Sequence, residues 1–300
     1  MRTETIDVLT DYARANPDVI LLTADLGYSV LERFADALPA QYANVGVCEQ
    51  AMAGIAAGLA LSGRRVVLYS IVNFPTLRCL EQLRNDVCYH NLPVTVIAVG
   101  GGLAYGAQGY THHGVEDLGI MSMLPNIVVA CPADPHEAMA LLPQLLERRR
   151  PGYLRLGRAG EPVLHPAGAE IALGRALWMR RGTDIALLAT GPILGRALRA
   201  ADKLATRGIS ASVASFPTFS PLDAEVATEA ASEHRAVLTI EEHSVEGGFG
   251  SRVAEALLLA RQAPRFGKFG VTAALRGRIG SQSWLLDQLG PIEDHAEALL

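Results

Sequence analysis

The strongest constraint on this chain is an alternation. Short apolar runs that read as buried strands are separated by stretches with helical spacing, and the pattern restarts after a Pro- and Gly-rich gap. Residues 4–15 carry Ile6, Leu9, Tyr12 and Ala13 at helical intervals and stop at Asn16-Pro17. Residues 19–24 are an apolar strand, and 65–70, 92–99, 127–130 and 153–156 repeat the pattern. Between them come the uncharged helix 51–61 and a helix after Phe74-Pro75 with Leu77, Leu80, Leu83 and Val87 on one side. A short helix follows over 116–123, then one over 135–146, which Asp134 is placed to cap with Pro135 at its first position. After the gap at 157–174, strands at 185–189, 211–214 and 237–240 alternate with helices at 195–206, after Pro221-Leu222-Asp223, and at 251–261. Such alternation builds parallel sheets covered by helices. The expected fold is α/β in two domains, each a mainly parallel sheet flanked by helices, at 1–160 and 175–300 with a linker at 161–174.

With 300 residues, both domains have room for a core. A chain that is 50% hydrophobic and 19% charged is not a disordered one. Its mean hydropathy of +0.22 fits either a large core or an apolar surface used in subunit contacts. The net charge of −5 gives no footprint for nucleic acid, and Arg148-Arg149-Arg150 reads as a solvated helix end. No apolar run approaches the length of a membrane span, and the first residues do not read as a signal peptide. Cys48, Cys79, Cys88 and Cys131 form no C-x-x-C pair. The expected setting is the reducing cytoplasm, with free and mostly buried thiols.

Several chemistries are missing. There is no G-x-x-x-x-G-K-[ST], no G-x-G-x-x-G and no G-x-S-x-G. His112-His113 cannot easily put both rings on one ion, so no metal site is expected. What remains is Glu49, a lone carboxyl group opening an uncharged helix. Either it favours the helix N-terminus, or it is held at an interface that needs a carboxyl group. Gly54 and Gly58 share one face of that helix, so another helix could approach closely. Asp25 follows a strand, where open parallel sheets place ligands, although turn chemistry explains it equally. Phe74 reads as core or as a stacking platform. His112 and His113 close a Gly-rich loop and read as structural or chemical.

Their joint order is more specific. Glu49-Gln50-Ala51-Met52, the Phe74 region, Gly106-Ala107-Gln108-Gly109-Tyr110-Thr111-His112, Leu124-Pro125-Asn126 and Cys131-Pro132-Ala133-Asp134 together resemble the pyrimidine-binding domain of transketolases. Ala189-Thr190-Gly191, Phe219-Ser220-Pro221-Leu222-Asp223 and residues 241–250 resemble their C-terminal domain, shared with deoxyxylulose-phosphate synthases and 2-oxo acid dehydrogenase β subunits. The family's Gly-Asp-Gly segment, which marks its diphosphate-binding half, does not occur here. The resemblance therefore implies one subunit of a split transketolase, which moves a two-carbon ketol unit from a ketose to an aldose. An N-terminal subunit would hold the diphosphate of thiamine diphosphate and its Mg2+ or Ca2+, in an α2β2 heterotetramer.

The resemblance also implies roles. Glu49 would hydrogen-bond a pyrimidine nitrogen of the cofactor and favour its imino tautomer. A dry interface suits that task, because burial favours a neutral carboxyl group. Phe74 would stack on the pyrimidine, with Tyr69 and Ile71 nearby, and Asp25 would be a further cofactor contact. His112 would donate to substrate oxygens, with His113 an adjacent competitor, and Ser29 and Arg158 would contact a sugar phosphate. Gln108 would be a substrate contact, standing where the family has an acidic residue. Gly100 replaces a phosphate-contacting histidine, and Cys48 an arginine, so the donor sugar and its phosphorylation stay open. A 2-oxo acid dehydrogenase β subunit is the alternative, disfavoured by the run from Thr111 to Asp117. A non-catalytic α/β scaffold subunit is the other, against which Glu49 and His112 argue.

Overall fold

The computed structural model describes residues 1–166 and 168–300. The first half supplies strands β1 (Val19–Thr23), β2 (Tyr42–Asn44), β3 (Arg65–Ile71), β4 (Val94–Val99), β5 (Val128–Ala130) and β6 (Gly152–Leu156). Its helices are α1 (Arg2–Ala15), α2 (Glu32–Ala37), α3 (Glu49–Leu61), α4 (Leu80–Gln82), α5 (Asp117–Ser122) and α6 (Pro135–Glu147). The second half has strands β7 (Leu177–Arg180), β8 (Ile185–Thr190), β9 (Ala211–Ser215), β10 (Thr218–Ser220), β11 (Ala236–Ser244) and β12 (Arg265–Val271). With them run α7 (Leu194–Thr206), α8 (Ala224–Glu233), α9 (Phe249–Leu259), α10 (Gln282–Asp287) and α11 (Ile292–Glu297).

Two sheets result, in the orders β10-β5-β6-β4-β3-β1-β2 and β12-β11-β8-β9-β7. Among the described residues, only β10 in the first and β7 in the second pair antiparallel, so the mainly parallel α/β fold expected from the sequence is the fold observed. Alternating side chains of β3 and β4 feed two cores. Val66, Leu68, Val94 and Val96 pack with Met52, Ala53 and Ala56 of α3. Val67, Tyr69, Ile97 and Val99 pack with Leu9 of α1 and Leu141 and Leu145 of α6. This is a sheet covered on both faces, which is why its strands read as continuous apolar runs.

The halves are tied by polar groups as well. Strand β10 crosses from the second half to pair with β5. The buried Arg155 of β6 donates to the carbonyls of Gly114 (2.7 Å) and Glu242 (2.8 Å), the latter at the end of β11. Gly101 makes room for it, since a Cβ there would lie 1.9 Å from Arg155 Nε. Asp134 caps α6 as expected, accepting from the Glu137 N–H at 2.9 Å. Its other oxygen accepts from the His165 N–H at 2.9 Å, which pins the connecting segment to that helix.

One element differs from expectation. The helix expected after Phe74-Pro75 is a π turn over Phe74–Arg78, then α4, then a second π stretch over Leu83–Cys88. Wide turns of this kind concentrate at functional sites.

Candidate active site

Parallel strands bring their C-terminal ends to one edge, and the order β6-β4-β3-β1 makes four of those ends neighbours. Asp25 follows β1, Phe74 follows β3, the loop 100–113 follows β4 and Arg158 follows β6. The loop is fixed at its base by a bridge between Gly102 and Gly114. Asn73 holds its far end, with Nδ2 donating to the carbonyls of Thr111 (3.0 Å) and His113 (2.9 Å). The Glu242 carboxyl group accepts from the Leu103 N–H at 2.7 Å, so the second half braces the loop from behind.

Helix α3 begins after Gly46, whose φ of 78° turns the chain, and Glu49 is its first residue. The Glu49 side chain is buried and does not cap the helix; Oε1 instead accepts from Arg78 Nη1 at 3.1 Å. The Arg78 guanidinium carbon lies 4.2 Å from the centroid of the Phe74 ring. Phe74 in turn meets His112 edge to face, centroids 5.4 Å apart. Glu49, Arg78, Phe74 and His112 are thus one continuous cluster. Beside it opens a cavity of about 480 Å³ lined by Asn73, Phe74, Arg78, Thr111 and His113 among others. An aromatic ring in the wall of a cavity of this size, with a buried carboxyl group reached through Arg78, fits a flat nitrogen heterocycle such as a pyrimidine. Burial, reinforced by the charge of Glu49, pushes the Cys79 thiol up to about 12. That thiol stays protonated and is no nucleophile. Among the described residues, no three His, Cys, Asp or Glu side chains are grouped to hold a metal ion.

The remaining expected residues surround this cluster unevenly. His113 is buried, with Nε2 3.2 Å from the Gly106 carbonyl, so its ring serves the loop while it lines the cavity. Arg158 is exposed and lies 5.7 Å from the centroid of Tyr105, whose ring is 6.4 Å from that of His112. Gly100 has φ 79°, and a Cβ there would stand 2.0 Å from the Tyr105 ring. Tyr105 therefore fills the space beside Gly100, where a histidine side chain has no room. Asp25 Oδ1 accepts from the Tyr28 hydroxyl (2.8 Å) and from Asn44 Nδ2 (3.2 Å), which together hold its carboxyl group below the usual range. Ser29 is exposed, and its N–H donates to Glu32. Gln108 is exposed. Arg78, Tyr105 and Asn73 were not singled out by sequence. Only Arg78 carried a signal: it stands four residues after Phe74, one turn away on the same side.

Fold and edge together define a two-sheet α/β chain whose candidate cluster sits beside the ends of β3 and β4 and the start of α3. The chain belongs to the transketolase family: the transketolase pyrimidine-binding domain matches residues 1–160 and the transketolase C-terminal domain residues 174–295. It is similar to an apulose-4-phosphate transketolase subunit of Phocaeicola vulgatus, 37% identical over 253 residues, 84% of this chain and 81% of that protein. It is also similar to a 6-deoxy-6-sulfo-D-fructose transketolase subunit of a Clostridium species, 35% identical over 93% of this chain and 90% of that one. A 1-deoxy-D-xylulose-5-phosphate synthase from Azoarcus is 36% identical, but this chain spans only 45% of its length. Among solved structures, a split gene transketolase described as an inactive beta4 tetramer matches with a TM-score of 0.88. The identity there is 34%, covering 99% of this chain and 95% of that one.

Proposed function

We propose that this chain is the pyrimidine-binding subunit of a heteromeric, thiamine-diphosphate-dependent transketolase moving a two-carbon ketol unit from a ketose to an aldose. The observation that carries the reading is the buried carboxyl group of Glu49, clustered through Arg78 with Phe74 and His112. When bound, thiamine diphosphate supplies a nucleophilic thiazolium carbon that can take up and pass on the ketol unit. Glu49 would hold a proton shared with a pyrimidine nitrogen, and the Phe74 ring would offer a stacking face to the pyrimidine, worth about 0.5–1.5 kcal/mol beyond burial. His112 donates to substrate oxygens where charge develops, with His113 behind it. Arg158, held over Tyr105, offers a fork of donors to an anionic group on the sugar, with Ser29 and Gln108 on the exposed rim. Asp25 supports the cofactor from the β1 end through its contacts with Tyr28 and Asn44.

The partner is an N-terminal transketolase subunit carrying the diphosphate-binding domain and its Mg2+ or Ca2+, in an α2β2 assembly in the cytoplasm. Helix α3 supports this. Its outer face exposes Ala51, Gly54, Ile55, Gly58 and Leu61, and among the described residues nothing beyond the helix's own backbone lies within 4 Å of where a Cβ on either glycine would stand. The functional units are 1–160 and 175–300, with 161–174 as the linker. Co-expression with a candidate partner, followed by a screen of ketose donors and aldose acceptors, tests the reading. Ketol transfer that requires added thiamine diphosphate is the expected result. Oxidation of a 2-oxo acid instead would mark a dehydrogenase subunit, and an assembled heteromer doing neither would mark a scaffold.

A further inference from the structure

We propose that Arg78 is a built-in stand-in for the cofactor's aminopyrimidine, occupying its half-site until the ring displaces it. The inference rests on the cofactor reading above. A guanidinium is planar, with N–H donors at its edge and a flat face that stacks on aromatic rings. Arg78 uses both: its edge donates to Glu49 Oε1 at 3.1 Å, and its carbon lies 4.2 Å from the Phe74 centroid. A pyrimidine carrying the shared proton on its ring nitrogen presents the same two features, an in-plane N–H and a stacking face. The guanidinium and the ring cannot both lie on that face of Phe74, because the observed separation leaves no layer between them.

The two partners differ in their freedom. The Glu49 side chain is 6% exposed and the Arg78 side chain 52%. Arg78 can therefore swing away through the adjoining cavity, which it lines together with Phe74, while Glu49 stays in place. The pairing also has a physical cause in the free subunit. A buried carboxylate without a partner is costly, and the π turn over Phe74–Arg78 delivers a cation from one turn along the chain. Arg78 thus keeps Glu49 and Phe74 in position and satisfied, and each must be released before the pyrimidine can use it.

The test titrates thiamine diphosphate calorimetrically into assembled heteromers carrying Arg78→Ala, Arg78→Lys or the wild-type chain. Replacing a half-exposed ion pair and a cation–π contact with the ring's own contacts predicts a Kd about three- to tenfold tighter for Arg78→Ala. Arg78→Lys, which keeps the charge but loses the planar fork, falls between. The gap narrows as salt rises from about 0.05 to 0.5 M, since screening weakens the competitor only in the wild type. A purely structural role for Arg78 would not produce that salt dependence. A weaker or unchanged Kd in Arg78→Ala, or a gap indifferent to salt, overturns the proposal while leaving the cofactor reading intact. Failure of the wild-type heteromer to bind thiamine diphosphate overturns both.

Discussion

Replacing Gly54 and Gly58 of α3 by alanine separates what these residues do inside the subunit from what they do outside it. Both are exposed helical positions, and an added Cβ on either meets nothing within 4 Å. Alanine is favoured over glycine in a helix interior by about 0.8–1.0 kcal/mol, so the pair gains about 1.6–2 kcal/mol if the sites add. For a chain of this size that raises Tm by roughly 3–6 °C. Urea and thermal unfolding of the isolated subunit give the first number. The second comes from titrating the variant with its partner by sedimentation or native mass spectrometry. If another helix packs over this stripe, two extra methyl groups overpack the contact, at about 1–3 kcal/mol each, and assembly weakens at least about tenfold. A stabilised subunit that assembles with wild-type affinity would refute the interface reasoning. A destabilised one would refute the helix geometry itself.

Two further outcomes follow from buried polar groups. Tyr153 donates to Asp117 Oδ2 at 2.7 Å, and Asp117 Oδ1 has no partner among the described residues, so Tyr153→Phe leaves that carboxyl group short of a bond. Urea unfolding should show a loss of about 1.5–3 kcal/mol. Burial alone would lower the His165 imidazole, but its contacts with Asp134 and Glu137 outweigh this and push it up to about 9, against 6.5 for a free histidine. Its folded pKa is the raised one, so its stabilisation is complete below about pH 6.5 and is lost as pH rises through about 9. The urea midpoint should fall across that window, and the fall should be absent in His165→Gln.

Much of the fold was legible because a sheet covered on both faces demands continuous apolar strands. β1, β3, β4 and β8 announced themselves that way. The strands that escaped notice lack such a run: β2 and β10 have three residues each, β7 is a four-residue, half-buried edge strand ending in Arg180, and β12 is interrupted by Gly267, Lys268 and Gly270. The partner of β10 is β5, almost ninety residues earlier in the chain, and no local pattern encodes that choice. At the site, the strand-end positions of Asp25, Phe74 and Arg158 followed from the alternation, whereas Glu49 and His112 gained meaning only from their joint order. Helical spacing put Arg78 on the same side as Phe74, but it cannot distinguish an α turn from a π turn, so it did not fix the contact with the ring face. Gly100 signalled a departure, but only packing showed that Tyr105 fills the space beside it.

The central claim is that Glu49 holds the proton shared with the cofactor. Glu49→Gln keeps the side chain's shape and an oxygen that can still accept from Arg78, but removes that proton. In the assembled heteromer, with assembly and thiamine diphosphate binding checked independently, ketol transfer should fall by about 10²–10⁴-fold. Turnover within a few-fold of wild type, in a variant shown to be assembled and loaded with cofactor, would contradict it.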